Sequence, residues 1–267
     1  IYTDTVNDIK QFMTQKNITS FELVIISHFD TDHMKMFDDL IGSSNIHVGQ
    51  FVARSYSKAI KDKLRDASTT NAKNSGSDLN DKPLLPTIRN FEAVVTLRNK
   101  KNTQNKLDNY YFFSGSYDIL ANRSISFGKN TANTSSIFIQ FLNADKSYFS
   151  DLDVSKNTYA YDWRLASNND SLVFVVHFFN KKILFCGDIQ GNAMNDLMNK
   201  EVIQKYATNC DLVFWPHHGK IVGAELEKNS VYTTLGKLHL TTTIYRKKFI
   251  SLVGNGAKTA CFVSTDT

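Results

Sequence analysis

Residues 22–33 read ELVIISHFDTDH. The first half is a continuous apolar, β-branched run, the composition of a buried strand. The second half, SHFDTDH (27–33), brings His28, Asp30, Asp32 and His33 together directly after that strand. Imidazole nitrogen and carboxylate oxygen are the donors that zinc, manganese and iron sites use. Strand side chains alternate, so positions 28, 30 and 32 share a side while the chain stays extended. A turn after the strand gathers all four around one point. Loops at strand ends are where functional groups collect. The plainer alternative is a polar loop in which Asp32 caps the next helix.

Two other apolar runs end the same way. KILFCGD (182–188) delivers Asp188 at the end of a strand, with Gly187 permitting close approach. LVFWPHHGK (212–220) ends in His217-His218, with Pro216 stiffening the approach and Gly219 allowing a tight turn. Taken singly, an Asp after a strand is a turn former and a His pair is a surface feature. Three strands that each end in His or Asp form a pattern.

Around these motifs the chain alternates strands and helices. Val6, Ile9, Phe12 and Met13 predict an amphipathic helix over 4–16, and MKMFDDLIG predicts a short helix ending at Gly42. IHVGQFVA (46–53) reads as a strand and 56–67 as a helix. The Ser/Asn/Asp/Gly-rich stretch 68–84 reads as a loop. FEAVVTL (91–97) is strand-like, followed by an exposed basic turn over 98–106. YYFFSGSY, SISF, SSIFIQFL, SLVFVVHF (171–178) and KILFCGD form a strand-rich block, with a hairpin turn at Asn180-Lys181. A helix over 192–206 and a strand over 211–216 follow. The stretch TIYRKKFISLVGNGAKTACFV predicts two strands around Gly254-Asn255-Gly256. His177 reads as a strand histidine, and Tyr110, Tyr111, Phe112 and Phe113 as strand core.

Composition narrows the classes. The chain has 267 residues, 42% hydrophobic and 21% charged, enough for one large domain or two small ones and too apolar for a disordered chain. No apolar run approaches the roughly 18–20 residues that span a bilayer, and no signal peptide is visible. The first residue is Ile1, which fits a segment of a longer protein. Three separated cysteines, Cys186, Cys210 and Cys261, make neither a disulfide framework nor a zinc ribbon, and fit a reducing, cytoplasmic compartment. A net charge of +5 permits a polyanionic partner. Arg98, Lys100, Lys101 and Lys220 are candidate phosphate contacts.

SHFDTDH, NNDSLVFVV (168–176), ILFCGD and WPHHGK, in that order, resemble the motif series of the metallo-β-lactamase superfamily. With Asp30 where the usual pattern has a second histidine, the series is most similar to the metallo-β-lactamase-like domain of ComEC-type DNA-uptake proteins. The chain departs from that pattern at Met34-Lys35-Met36, where Gly-Gly is usual, and at Lys220, where the family has serine. The resemblance implies an α+β fold, an αββα sandwich of two mixed β-sheets flanked by helices. It implies a single domain over 1–267 with a polar, basic insertion around 68–106.

The resemblance also implies two divalent metal ions, zinc or manganese first among them. His28 and Asp30 would serve one ion and Asp32 and His33 the other. Asp188 would bridge, and one or both of His217 and His218 would complete the set, His218 being preferred. Asp32 and Asp188 would be catalytic, and Asn168 and Ser171 would support the ligands. The expected activity is a phosphodiesterase or nuclease acting on DNA, fitting the effector of a bacterial antiviral defence protein. The alternatives are a hydrolase of small esters, lactones or phosphocholine-type groups, and a degenerate domain that binds nucleic acid or protein without turnover.

Overall fold

A computed structural model of the chain describes residues 2–34, 36–42, 45–65, 85–113, 124–127, 137–144, 147–148, 167–189, 191–217, 247–254 and 258–262. The chain divides into two compact units, one of residues 1–115 and 147–167, the other of 116–146 and 168–267.

The first unit begins with helix α1 (Tyr2–Gln15), which buries Val6 and Met13 on one stripe and leaves Phe12 53% exposed. Strand β1 (Ser20–Ile25) is followed by two short helices, α2 (Thr31–Met34) and α3 (Phe37–Ile41), and then by strand β2 (His47–Arg54). A helix over 58–65 (α4) and the long helix α5 (Leu85–Thr103) lead to strand β3 (Leu107–Phe113). The sheet order is β1-β2-β3 and both pairings are parallel, so helices make the crossovers. Central β2 is the best buried strand, whereas β1 is half-buried until Ile26.

Helix α5 overturns the strand expected at 91–97 and the basic turn expected after it. Thr87, Ile88, Phe91, Val94, Leu97 and Lys101 are its buried positions, which recur three and four apart from the first turn onward. That is helical periodicity. The adjacent Val94 and Val95 and the neighbouring Thr96 imitate a strand over a short window, but the buried face runs for four turns. α5 packs against β2 and β3, and its Phe91 joins the main core cluster of this unit.

In the second unit, strands β4 (Ser124–Phe127), β5 (Ile137–Phe141), β6 (Phe174–Phe178), β7 (Lys181–Phe185), β8 (Leu212–Phe214) and β9 (Ala260–Phe262) form a sheet in chain order. β4 to β7 pair antiparallel, and β7-β8 and β8-β9 pair parallel. Cross-strand stacking follows that register: Phe174 lies 4.9 Å from Phe185, and Phe185 4.4 Å from Phe214, between ring centroids. A helical turn over 167–169 (α6), whose first residue, Ser167, is counted with the first unit, precedes β6. The helix expected over 192–206 is broken into α7 (Gly191–Met198) and α8 (Glu201–Tyr206).

Two further expectations are corrected. Phe178 pairs with Lys181, so the tight turn is Phe179-Asn180, with Phe179 at φ 54°. Residues 247–253 form a helix (α9) that buries Phe249 and Val253, an i, i+4 pair, where a strand was expected. The two units together make a mixed α/β chain with two sheets and packed helices. The first sheet is parallel throughout its described strands; the second is mixed.

Candidate metal centre

The loop after β1 is built around one hydrophobic peg. Phe29 is fully buried, its ring 5.3 Å from Tyr56 and 5.4 Å from Phe91, with Tyr56 and Phe91 themselves 5.1 Å apart. Burying such a ring contributes about 1.5–3 kcal/mol, with roughly 0.5–1.5 more for each well-placed aromatic pair. Asn90 on α5 donates through Nδ2 to the Phe29 carbonyl at 2.7 Å. The ring and backbone of Phe29 are therefore both fixed, and its neighbours His28 and Asp30 are fixed with them.

The chain then turns. The His33 N–H donates to the Asp30 carbonyl at 3.1 Å, and α2 carries Asp32 and His33 back beside His28. The His28 and His33 rings lie 4.1 Å apart between centroids, at 50°. His28 Nε2 stands 3.9 Å from Asp30 Oδ2, and His33 Nε2 stands 3.7 Å from Asp32 Oδ2. His28 is fully buried, and Asp32 is the most open of the four at 51%. Ser27 Oγ lies 3.2 Å from His28 Nδ1, which leaves Nε2 as the nitrogen facing Asp30.

The nitrogen–oxygen gaps are too long for hydrogen bonds. Two donors that share an ion at about 2.1 Å each stand roughly 3–4 Å apart, so the spacing fits ligands of a common cation. Mixed imidazole and carboxylate donors suit zinc, manganese or iron. Asp32 lies inside the first turn of α2, which is a different role from the cap of the plainer reading.

In the second unit, β7 and β8 run parallel and end together. Asp188 follows Gly187, whose φ is 54°, and His217 has φ 52°. The His217 N–H donates to the Gly187 carbonyl at 3.1 Å. Asp188 is 4% exposed, and its N–H donates to Ser171 Oγ at 2.9 Å. Ser171 is itself held: its N–H donates to the Asn168 carbonyl at 3.0 Å, and its carbonyl accepts from Asn143 Nδ2 at 2.6 Å. Asn143 Oδ1 in turn accepts from the Val173 N–H at 2.8 Å. Ser171 thus supports Asp188 through its hydroxyl, and Asn168 acts through its backbone carbonyl.

His218 and Lys220 lie outside the described residues. The basic side chains of α5 are tied down. Lys101 is 2% exposed and donates to the Ile46 carbonyl at 2.6 Å. Burial pushes its ammonium below the usual lysine value, and Lys100 and Lys106 add to the effect. Lys100 donates to the Gly42 carbonyl at 3.2 Å, and Arg98 lies over Tyr110 at 4.8 Å and Phe112 at 5.0 Å. Arg98, Lys100 and Lys101 therefore fasten α5 to its surroundings, and do not form the exposed basic turn expected of 98–106. Tyr110, expected in the core, is 50% exposed beneath Arg98. His177 holds its strand position, stacked on Phe138 at 4.0 Å and 8°.

Sequence reasoning missed Phe29, Asn90 and Asn143, whose parts depend on distant partners. Phe29 left one trace, as a large apolar residue inside a ligand-rich loop. No protein-family model and no curated protein matches the chain.

Proposed function

We propose that the chain is a metal-dependent hydrolase acting on phosphodiesters, DNA first among them, with the αββα arrangement of the metallo-β-lactamase superfamily. The observation that carries this reading is the SHFDTDH loop: two histidine–aspartate pairs, at 3.9 Å and 3.7 Å, whose imidazole rings lie 4.1 Å apart. His28, Asp30, Asp32 and His33 would hold one or two divalent ions, zinc or manganese. Asp188 and His217, with His218 beside it, are proposed as the remaining ligands; their support is the motif order in the sequence and the way β7 and β8 end on them. Bound ions of this kind polarise a phosphoryl oxygen and acidify a water at neutral pH.

The residues divide the remaining work. Asp32, half-exposed at 51%, is the residue we assign to orient the attacking water. Buried His28 and the peg residue Phe29 keep the loop from moving away. The net charge of +5 permits a polyanionic substrate. No helix among the described residues is long and apolar enough to cross a membrane. All three cysteines are free, in keeping with a reducing cytoplasm.

Metal content measured beside an assay on single- and double-stranded DNA tests the proposal. The expected result is one to two ions per chain and Mn²⁺- or Zn²⁺-dependent cleavage, lost in Asp32→Ala and His33→Ala. A reconstituted chain with no bound metal and no cleavage overturns it. Metal binding with turnover of small esters or lactones, and none of DNA, overturns the substrate while keeping the centre.

A further inference from the structure

The Asp30 carboxylate is gripped on one side. Ser167 Oγ donates to Asp30 Oδ1 at 2.5 Å, and both residues belong to the first unit. Ser167 is 2% exposed, so water does not compete for this hydroxyl. Its single proton goes to Asp30, which leaves its lone pairs for a donor. Thr87, also 2% exposed and in the first turn of α5, has its Oγ1 3.5 Å from Ser167 Oγ. Thr87, Ser167 and Asp30 thus form a one-way row ending on a carboxylate oxygen. The other oxygen, Oδ2, is the one 3.9 Å from His28 Nε2.

We infer that Ser167 is a positioning residue that holds the Asp30 carboxylate in the orientation a metal ligand needs, Oδ2 towards His28; this rests on the metal-centre reading of the SHFDTDH loop. With Oδ1 held by Ser167, the carboxylate is fixed in orientation, and Oδ2 is the oxygen kept towards His28 Nε2. Without that hydroxyl the carboxylate turns freely about its last bond, and ordering it again would count against metal binding. Residues that fix ligands in this way typically alter metal affinity 10–100-fold when removed.

The test is a Mn²⁺ titration by calorimetry on the whole 267-residue chain. The variants are Ser167→Ala, Ser167→Thr, Asp30→Ala and the Ser167→Ala/Asp30→Ala double, with thermal unfolding of each metal-free protein. Ser167→Ala is expected to weaken Mn²⁺ binding by about 10–100-fold while metal-free Tm moves by less than about 4 °C. Ser167→Thr, which keeps the hydroxyl, restores binding. In the Asp30→Ala background, removing Ser167 adds less than about a twofold further loss, because the two act as one unit. Wild-type affinity in Ser167→Ala overturns the inference, as does a full additional loss in the double variant. If the unsubstituted chain binds neither Mn²⁺ nor Zn²⁺, the metal-centre reading falls first and this inference with it.

Discussion

Gly187 and His217 meet at the ends of adjacent parallel strands: the His217 N–H donates to the Gly187 carbonyl at 3.1 Å, and both residues have positive φ, 54° and 52°. A left-handed backbone is free for glycine and costs other residues about 1–2 kcal/mol. Gly187→Ala is therefore expected to lose about 1–2 kcal/mol in denaturant unfolding. His217→Gly relieves its own strain while gaining chain flexibility, so its stability stays within about 1 kcal/mol of the parent. Its metal affinity falls nonetheless. A His217→Gly protein with unchanged metal binding would remove His217 from the proposed ligands.

Phe29→Ala empties a fully buried ring site and is expected to cost about 3–5 kcal/mol. Asn90→Ala removes the donor to the Phe29 carbonyl and is expected to cost about 1–3 kcal/mol. Urea midpoints at constant m check both values. If Phe29→Ala unfolds like the parent, the peg is not what holds the loop.

Asn143 closes two backbone bonds at once, to the Ser171 carbonyl and from the Val173 N–H. Asn143→Ala leaves both groups without it in a buried region, and about 1–3 kcal/mol is the expected loss. Asn143→Asp sets a buried carboxylate against the Ser171 carbonyl, so it is expected to cost at least as much as Asn143→Ala. Amide exchange at Val173 should accelerate in Asn143→Ala; an unchanged rate would mean that Asn143 does not hold this strand start.

His177 supplies a pH dependence. Burial pushes its imidazole below the ordinary 6.5, and Lys182 pushes the same way. Phe138 and Tyr206 are the rings packed against it. The unfolded chain then binds a proton at a pH where the folded one does not. Stability from this residue is full above pH 6.5 and is lost as pH falls through 6.5 towards the folded value. NMR titration of His177 should give a midpoint below that of an exposed histidine. His177→Phe should flatten this part of the stability–pH curve; an unchanged slope would assign it elsewhere.

Metal should stabilise the chain by mass action. At a free ion concentration about 100 times Kd the gain is about 2.7 kcal/mol. A rise in Tm on adding Mn²⁺ or Zn²⁺ is expected for the parent, and none for a His28→Ala/His33→Ala protein. An equal rise in both would mean that the ion binds elsewhere.

Much of the molecule is legible in its residues, and the failures share a cause. ELVII, IHVGQFVA and DLVFWP are short apolar runs ended by polar residues, and they fold as the strands β1, β2 and β8. FEAVVTL and KKFISLV are runs of the same kind, yet they are helical, because tertiary packing decides between periods that a seven-residue window cannot separate. Extending the first window back to Ile88 and on to Lys101 reveals the three-and-four spacing. The ligand loop is visible as a cluster, while its supports are not. Asn90 lies 61 residues from Phe29 and Ser167 lies 137 from Asp30, distances no local pattern carries.

The interleaving of the two units sets an order of events on the ribosome. The first unit takes residues 1–115 and then 147–167, so part of the second is made before the first is complete. At about 5–20 residues per second, the chain needs on the order of ten seconds to go from Asp30 to Ser167. Within that interval Tyr56 and then Asn90 are made and can shape the loop around Phe29, but the Asp30 carboxylate still lacks its serine. The SHFDTDH loop is thus assembled early, and its last adjustment comes late, from a hydroxyl 137 residues downstream.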